Sequence, residues 1–303
     1  MSATCVLLAT WLLAACADRP AEAVGAAPIT PEELANAAYL GIYDEPVHLT
    51  DGEYLGQPFV AGGAARPRVL LIPGFSLSGD MTGDGNEEAV VLLAESSGGS
   101  GTFDYVAVMS RSGDDVVNIG TAALGDRVQI RDAGLEDGRV RIDVVQGGPE
   151  DAACCPTQKA TRTWAITDEQ LVEVETEVEG SLSGNDLEGV EWVLVSLGEG
   201  EDAPSEPEVT LVFDGERVAG HSGCNRYMGG VTFGDGVSDL QFGPLAGTMM
   251  ACPSDLMDLE RRYLKALEGV RRFSFLVGQL VLTSIDEDEQ ASTMIFEGRP
   301  PRM

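Results

Sequence analysis

Short hydrophobic runs typical of β-strands recur along most of this chain, and in some of them apolar and polar residues alternate with a period of two. The runs are separated by turn dipeptides. Residues 139–145 (RVRIDVV) follow Asp137-Gly138, and two further runs flank Asp214-Gly215. Alternation interrupted by Asp-Gly is typical of antiparallel strands joined by tight hairpins. The pattern therefore predicts a protein built mainly of antiparallel β-sheet.

Two segments have a helical pattern instead. Residues 30–33 (TPEE) form a capping box with proline at the first helical position, which predicts a short helix to about residue 40. From residue 254 the period changes to helical, with charged residues such as Glu260 on the polar face and Gly269 at the end. The apolar face of this second helix comprises Leu256, Leu259, Tyr263, Leu264 and Leu267. We therefore predict an α+β fold, mainly antiparallel β, with two β-rich domains, the second with one helix packed on its sheet.

The length of 303 residues is sufficient for two domains that each bury a core. Residues 173–188 are acidic and contain few large apolar residues after Val178, which is typical of a boundary. We predict a first β-rich domain at 30–178, a linker at 179–186 and a second domain at 187–300.

The chain is strongly acidic, with 50 Asp and Glu against 19 Lys and Arg and a net charge of −31. Such a charge repels phosphate backbones, and no basic patch is present, so nucleic acid is excluded as a partner. Surface acid increases solubility, and it also attracts cations. Composition alone does not choose between these two roles.

The N-terminus resembles a bacterial lipoprotein signal. Residues 6–14 form an apolar run too short to span a bilayer, and it ends in Leu13-Ala14-Ala15-Cys16, which is similar to a lipobox. This predicts a signal peptide at 1–15, lipidation of Cys16 and a tether at 16–29. The alternative is a secretory peptide that happens to contain Cys16. Ala17 occupies the place where Asp would retain the protein in the inner membrane, so we expect an exported protein, anchored by its lipid to the outer rather than the inner membrane.

Residues 80–88 (DMTGDGNEE) place oxygen ligands at alternate positions: Asp80, Thr82, Asp84, Asn86 and Glu88. Calcium prefers such ligands, with glycine where the loop turns sharply. The stretch resembles the calcium loops of integrin-type FG-GAP repeats, although Thr82 replaces the usual Asp or Asn and the motif occurs once. No cofactor is certain, and calcium is the candidate. The alternative is a solvated acidic turn.

Cys154 and Cys155 are adjacent in the sequence. A bridge between neighbours would be strained and easily reduced, because their Cα atoms are closer than a relaxed disulfide prefers. The pair could act as a redox sensor or as a rigid platform for a ligand. Inert thiols are the alternative.

Cys224 and Cys252 flank a glycine-rich hairpin, and the second of them precedes the predicted helix. They could be ligands, nucleophiles, buried thiols or a disulfide, and export to an oxidising compartment favours the disulfide. The turn beside Cys224, formed by Asn225, Arg226 and Tyr227, is expected to be exposed and to be a candidate ligand contact.

Several motifs occur together and in order in the C-terminal part: residues 192–194 (WVL), 218–220 (VAG), 223–225 (GCN), 248–252 (TMMAC) and the helix. Together, over about 187–297, they resemble the META domain, the family of the bacterial heat-shock protein HslJ. The resemblance implies an α+β fold in an envelope protein linked to stress, drug tolerance or motility, with no established catalytic residues. Residues 30–178 resemble a β-rich module of bacterial lipoproteins that has no assigned activity.

The leading hypothesis is therefore a non-enzymatic, lipid-anchored envelope protein that contributes to stress or drug tolerance by binding or scaffolding. Its partners would be the membrane and an envelope protein or small molecule. A calcium-dependent ligand-binding or adhesion lipoprotein is the alternative. An enzyme, either a thiol-redox protein using Cys154 and Cys155 or a hydrolase using Ser76, ranks third, because the sequence has 2 histidines and an incomplete nucleophile motif.

Overall fold

A computed structural model describes residues 27–301 with the exception of 100, 199 and 287. The predicted signal peptide, the lipidation site Cys16 and the tether up to residue 26 lie outside the described residues. Within the described part of the chain, no helix is both long and apolar enough to cross a bilayer.

The first domain consists of a short helix followed by strands. Its elements are α1 (Pro31–Ala35), β1 (Ala38–Tyr39), β2 (Val47–His48), β3 (Glu53–Leu55), β4 (Arg68–Leu71), β5 (Leu77–Gly79), β6 (Glu88–Ser96), β7 (Phe103–Ser112), β8 (Asp115–Asp126), β9 (Gln129–Glu136), β10 (Arg139–Gln146), β11 (Gln158–Thr167) and β12 (Gln170–Ser181). The capping box predicted at Thr30 is present, but α1 is shorter than predicted. It ends early because the buried Tyr39 pairs with Val47 in a two-stranded sheet.

Two larger antiparallel sheets face each other in this domain. One has the order β3-β4-β6-β7-β8, with β5 also paired to β6, and the other has the order β12-β11-β10-β9. One core fills the space between the sheets around Trp164, and a second core lies under α1 around Tyr39. Since β6 and β7 contribute to both cores, residues 89–93 form an uninterrupted apolar run instead of alternating.

The second domain has one large sheet and one long helix. After a 3-10 helix (Gly184–Leu187) its elements are β13 (Glu191–Leu197), β14 (Val209–Asp214), β15 (Arg217–Ser222), β16 (Arg226–Phe233), β17 (Leu240–Gly247), α2 (Ser254–Gly269), β18 (Val270–Leu276), β19 (Gln279–Ile285) and β20 (Ala291–Arg299). The sheet order is β17-β16-β15-β14-β13-β20-β19-β18.

The two end strands of this sheet approach each other, so the sheet curls toward a barrel. Asp239 and Arg272 form an isolated bridge, and Phe273 N donates to Ser238 O at 2.9 Å. Helix α2 directs Leu259, Tyr263 and Leu267 into the core. The α+β fold with one helix on the second sheet is as predicted, and this prediction is confirmed.

The domains are in direct contact through β9 and the β18–β19 turn. Phe275 N donates to Gln129 Oε1 at 2.9 Å, and Gly278 N donates to Ile130 O at 3.0 Å. Apolar side chains cross the boundary in both directions, since Val145 joins the second core and Val277 packs against the first.

The stretch 179–186, predicted as a linker, contains the end of β12 and most of the 3-10 helix. Leu182 within it is 2% exposed and belongs to the second core. The segment therefore forms part of the contact between the domains.

Candidate functional site

The two cysteines of the second domain are joined in the structure. Cys224 follows β15, Cys252 lies just before α2, and their Cα atoms are 6.0 Å apart. That separation is within the usual range for disulfides. The bridge ties the corner between β15 and β16 to the segment that leads into α2.

The side chain of Asn225 completes this connection from inside the protein. Its Oδ1 accepts hydrogen bonds from Thr248 Oγ1 at 2.7 Å and from Met250 N at 2.8 Å. Its Nδ2 donates to Glu260 Oε1 at 3.1 Å. Asn225 is 5% exposed, so these protein groups take the place of water around a buried amide.

Glu260 of α2 holds the same corner from the helix side. Its Oε2 accepts from Asn225 N at 2.9 Å and from the hydroxyl of the fully buried Ser222. Sequence reasoning assigned Glu260 to the polar face of α2 and missed this role. Only its position one residue after the core residue Leu259 indicated that it could reach inward.

A pair of buried tyrosines lies beside this network. The hydroxyls of Tyr227 and Tyr263 are 2.7 Å apart, and the Tyr227 hydroxyl also donates to Thr210 O at 2.9 Å. Burial raises the pKa of both phenols above the usual range, so both stay neutral at physiological pH.

The turn of Asn225, Arg226 and Tyr227 was predicted to be exposed, and this is wrong for two of its three residues. Asn225 and Tyr227 are buried, and Arg226 alone is exposed. The physical reason is that the amide and the phenol satisfy backbone and side-chain groups of α2 and the neighbouring strands. The described contacts give these two residues a structural role.

The acidic loop at 80–88 is organised around Glu88, which is fully buried. Glu88 Oε2 accepts from Met81 N at 2.9 Å and Thr82 N at 3.2 Å, and Oε1 accepts from Ser110 Oγ at 3.0 Å. The carboxylate thereby fixes the loop to the start of β6 and to β7.

The other predicted calcium ligands also bond to the loop itself. Asp80 accepts from Gly83 N at 2.6 Å and Gly85 N at 3.0 Å. Asp84 accepts from Asn86 N at 2.8 Å, and this bond holds the pKa of the Asp84 carboxyl below its usual value. In the described ranges, no three His, Cys, Asp or Glu residues are grouped so that they could hold a metal ion. The carboxylates of Asp80, Asp84 and Glu88 accept hydrogen bonds from the loop itself, and calcium binding stays a prediction.

Cys154 and Cys155 are joined to each other, and both are exposed. They lie in the loop at 147–157, which connects β10 to β11. Asp151 pins this loop by accepting from Gly148 N and Thr157 N, each at 2.7 Å, and from Thr157 Oγ1 at 2.8 Å. These bonds lower the pKa of the Asp151 carboxyl.

The same loop forms one wall of a cavity of about 530 Å³. The ends of β8 and β10 and the faces of β11 and β12 form the other walls. Its apolar lining includes Leu124, Val128, Ala152, Ala153 and Pro156, and its polar lining includes Asp126, Gln146, Asp151, Arg162, Glu173 and Thr176. A preformed space of this size with a few polar groups is typical of a small-molecule site.

Arg162 lies at the cavity wall and is 9% exposed. Its Nε and Nη2 donate to the two carboxylate oxygens of Glu173 at 3.0 and 2.6 Å, and its Nη1 donates to Leu124 O at 2.5 Å. The guanidinium carbon lies 4.9 Å from the Trp164 ring centroid. The charge of Arg162 is therefore compensated within the protein. The ion pair with Arg162 lowers the pKa of the Glu173 carboxyl.

Comparison with known proteins concerns the second domain. Residues 185–298 match the family model of the META domain. The match predicted over 187–297 is confirmed, and we refer to this part of the chain as the META domain. It contains the Cys224–Cys252 bridge and the network around Asn225.

The chain is also similar to a solved structure described as the NMR structure of the protein from Burkholderia xenovorans. The sequences are 28% identical over 37% of this chain and 83% of that chain, with a TM-score of 0.30. Comparison with curated proteins gave no match.

Proposed function

We propose that this protein is a non-enzymatic, lipid-anchored protein of the bacterial envelope that contributes to envelope stress or drug tolerance through binding or scaffolding. The observation that carries the proposal is the match of residues 185–298 to the META domain. The resemblance to HslJ-like proteins supports the role in stress, and the lipobox-like residues before Cys16 support the anchor.

The internal bonds of the META domain support a scaffolding role, and the cavity of the first domain supports a binding role. In the META domain, Asn225, Glu260 and Tyr227 each bond to protein groups of the same domain. In the first domain the cavity beside the 147–157 loop offers a preformed space. The direct contact between the domains supports a scaffold of fixed shape.

Deletion of the gene, followed by growth under heat and with hydrophobic drugs, tests the proposed role. We expect the deletion strain to be more sensitive than its parent, and we expect the intact gene to restore tolerance. Cys16→Ser should fail to restore tolerance, and cell fractionation should find the protein away from the membrane. Cys5→Ser is the matched control, because Cys5 belongs to the predicted signal peptide. Equal growth of deletion strain and parent under every envelope stress would contradict the proposal.

A further inference from the structure

The cavity beside the Cys154–Cys155 loop has fixed walls. Asp151 closes its own loop through bonds to Gly148 and Thr157, and Arg127 Nη1 donates to Ala153 O at 2.5 Å from the other side. A ligand therefore meets a preformed site and does not have to order the loop, which favours binding.

The charge around this cavity is negative. The charged side chains that line it are Asp126, Asp151, Glu173 and Arg162. Next to them, Arg127 pairs with Asp126, and Asp104 accepts from Val128 N at 3.1 Å. Even without Asp104, three carboxylates against two guanidinium groups leave one negative charge in excess. The net charge of −31 on the whole chain adds to the same potential, so an anion is disfavoured.

Asp126 is the carboxylate with the most acceptor capacity left. Its Oδ1 accepts from Thr102 N at 3.0 Å, and its Oδ2 accepts from Arg127 at 2.5 Å. A carboxylate offers about four lone-pair positions, so two partners do not saturate it. Asp126 is 32% exposed at its side chain and lines the cavity, so a ligand can reach it.

The carboxylates are distributed around the cavity and do not form a tight group, and this favours an organic cation over a metal ion. Across the described residues, no three acidic, His or Cys side chains are grouped to hold a metal ion. The negative charge is instead spread around a space of about 530 Å³ that also has apolar walls. Such a space suits a cation that carries its charge on an apolar body.

We infer that this cavity binds an organic ammonium cation with an apolar body, with Asp126 as the principal carboxylate for its charge. The inference rests on the binding role proposed above. Binding of the cation is measured on the purified full-length protein, so a negative result leaves the tests of anchoring and stress tolerance unaffected.

Isothermal titration with benzylammonium, whose N–H groups can donate to Asp126, tests the inference, with benzoate as the matched anion. We expect a saturable one-to-one isotherm for the cation with a dissociation constant below about 1 mM, and no saturable heat for benzoate. Asp126→Asn should weaken binding of the cation by at least about fivefold, since it removes the excess negative charge at the cavity and leaves the charge of Arg127 without this carboxylate.

Two further variants separate the cavity from the surface charge in general. Asp114→Asn makes the same change in net charge at the turn between β7 and β8, at the opposite end of β8 from Asp126. It should change the affinity by less than about twofold. Ala153→Trp fills the cavity from an exposed loop position without changing any charge, and it should abolish binding.

Circular dichroism checks that each variant is folded. The inference is overturned if the cation gives no saturable isotherm, if benzoate binds as well, or if the two Asp→Asn variants weaken binding equally. It is also overturned if a folded Ala153→Trp protein binds the cation like the parent.

Discussion

Removal of the Cys224–Cys252 bridge should destabilise the META domain without changing its native structure. In the double variant Cys224→Ala/Cys252→Ala, the corner at Asn225 keeps its bonds to Thr248 Oγ1 and Met250 N. The native contacts that hold this segment therefore survive. The main effect of the substitution is on the unfolded chain, which gains conformational freedom.

The size of this effect follows from the loop that the bridge closes. The two cysteines are 28 residues apart in the sequence. For a loop of that length the chain-entropy model gives about 3.6 kcal/mol at 25 °C. Because Cys224 is 2% exposed, the lost sulfur contacts add to this value, and we expect a total loss of about 4 kcal/mol.

Urea unfolding followed by the fluorescence of Trp192 measures the loss of stability in the META domain. Trp192 is 4% exposed, lies in β13 and donates its Nε1 hydrogen to Leu187 O at 3.0 Å. A Trp164→Phe background in parent and variant removes the signal of the first domain, and Trp11 belongs to the predicted signal peptide. We expect the midpoint to fall and the slope of the transition to rise, since a chain without the bridge exposes more surface when it unfolds.

The adjacent pair provides the matched control. Cys154→Ser/Cys155→Ser removes a bridge between neighbours that closes no long loop, so the stability should change by less than about 0.5 kcal/mol. A reductant should lower the midpoint of the parent to that of the Cys224→Ala/Cys252→Ala variant and leave that variant unchanged. A loss below about 1 kcal/mol in the variant, or a parent that does not respond to reductant once the thiols are shown to be free, would refute the reasoning.

Three further predictions concern carboxyl groups. Burial raises the pKa of Asp104 to about 7, against about 3.9 in an unfolded chain. The contribution of the protonated carboxyl to folding stability is therefore complete below about pH 4 and is lost as the pH rises through 7. In urea unfolding, Asp104→Asn should stabilise the protein by about 1–2 kcal/mol at pH 8 and by less at pH 5. Glu88→Gln should lower the free energy of unfolding by about 2–3 kcal/mol, because it disturbs three hydrogen bonds of a fully buried carboxylate. Substitution of the exposed neighbour, Glu87→Gln, should lower it by less than about 0.5 kcal/mol. Calcium titration of the parent and of Glu88→Gln also tests the metal prediction, which requires a saturable heat in the parent that the variant loses. Glu260→Ala should destabilise the META domain by about 2–3 kcal/mol by leaving buried donors unpaired, and Glu268→Ala on the exposed side of α2 should be near neutral; equal effects would contradict the role given to Glu260.

The secondary structure could be predicted from the sequence wherever a local rule applies. Asp137-Gly138 forms one of the predicted hairpin turns, and Gly215-Glu216 forms the other, one residue later than predicted. Gly138 and Gly215 both have positive φ, where a side chain would be strained. The long helix could also be predicted, because its apolar residues recur at helical spacing. Each of these signals involves only residues that are close in the sequence, so no knowledge of the tertiary structure was needed.

The candidate site in the META domain could be predicted only in part. A pair of cysteines is visible in the sequence, but the surroundings of Asn225 are not. An asparagine after a cysteine in a glycine-rich turn has the composition of an exposed loop. Its burial depends on Glu260, 35 residues further along the chain, which turns inward from the polar face of a helix. The cavity of the first domain depends in the same way on strands that are distant in sequence.

The junction between the domains shows which features of the predicted linker its composition does not reveal. Averaged over 173–188, the sequence is acidic and contains few large apolar residues, which is typical of a solvated connection. The structure uses single residues there instead: Leu182 enters the second core, and Asp186 accepts from Lys159 Nζ at 2.7 Å and lies 3.3 Å from Arg131 Nη2. A carboxylate placed against two basic side chains of the first domain holds the start of the META domain in place. A carboxylate stabilises a contact only where a cation or a hydrogen-bond donor lies against it. In a chain with so few basic residues, the position of Lys159 and Arg131 therefore contributes more to this contact between the domains than the excess of acidic residues around it.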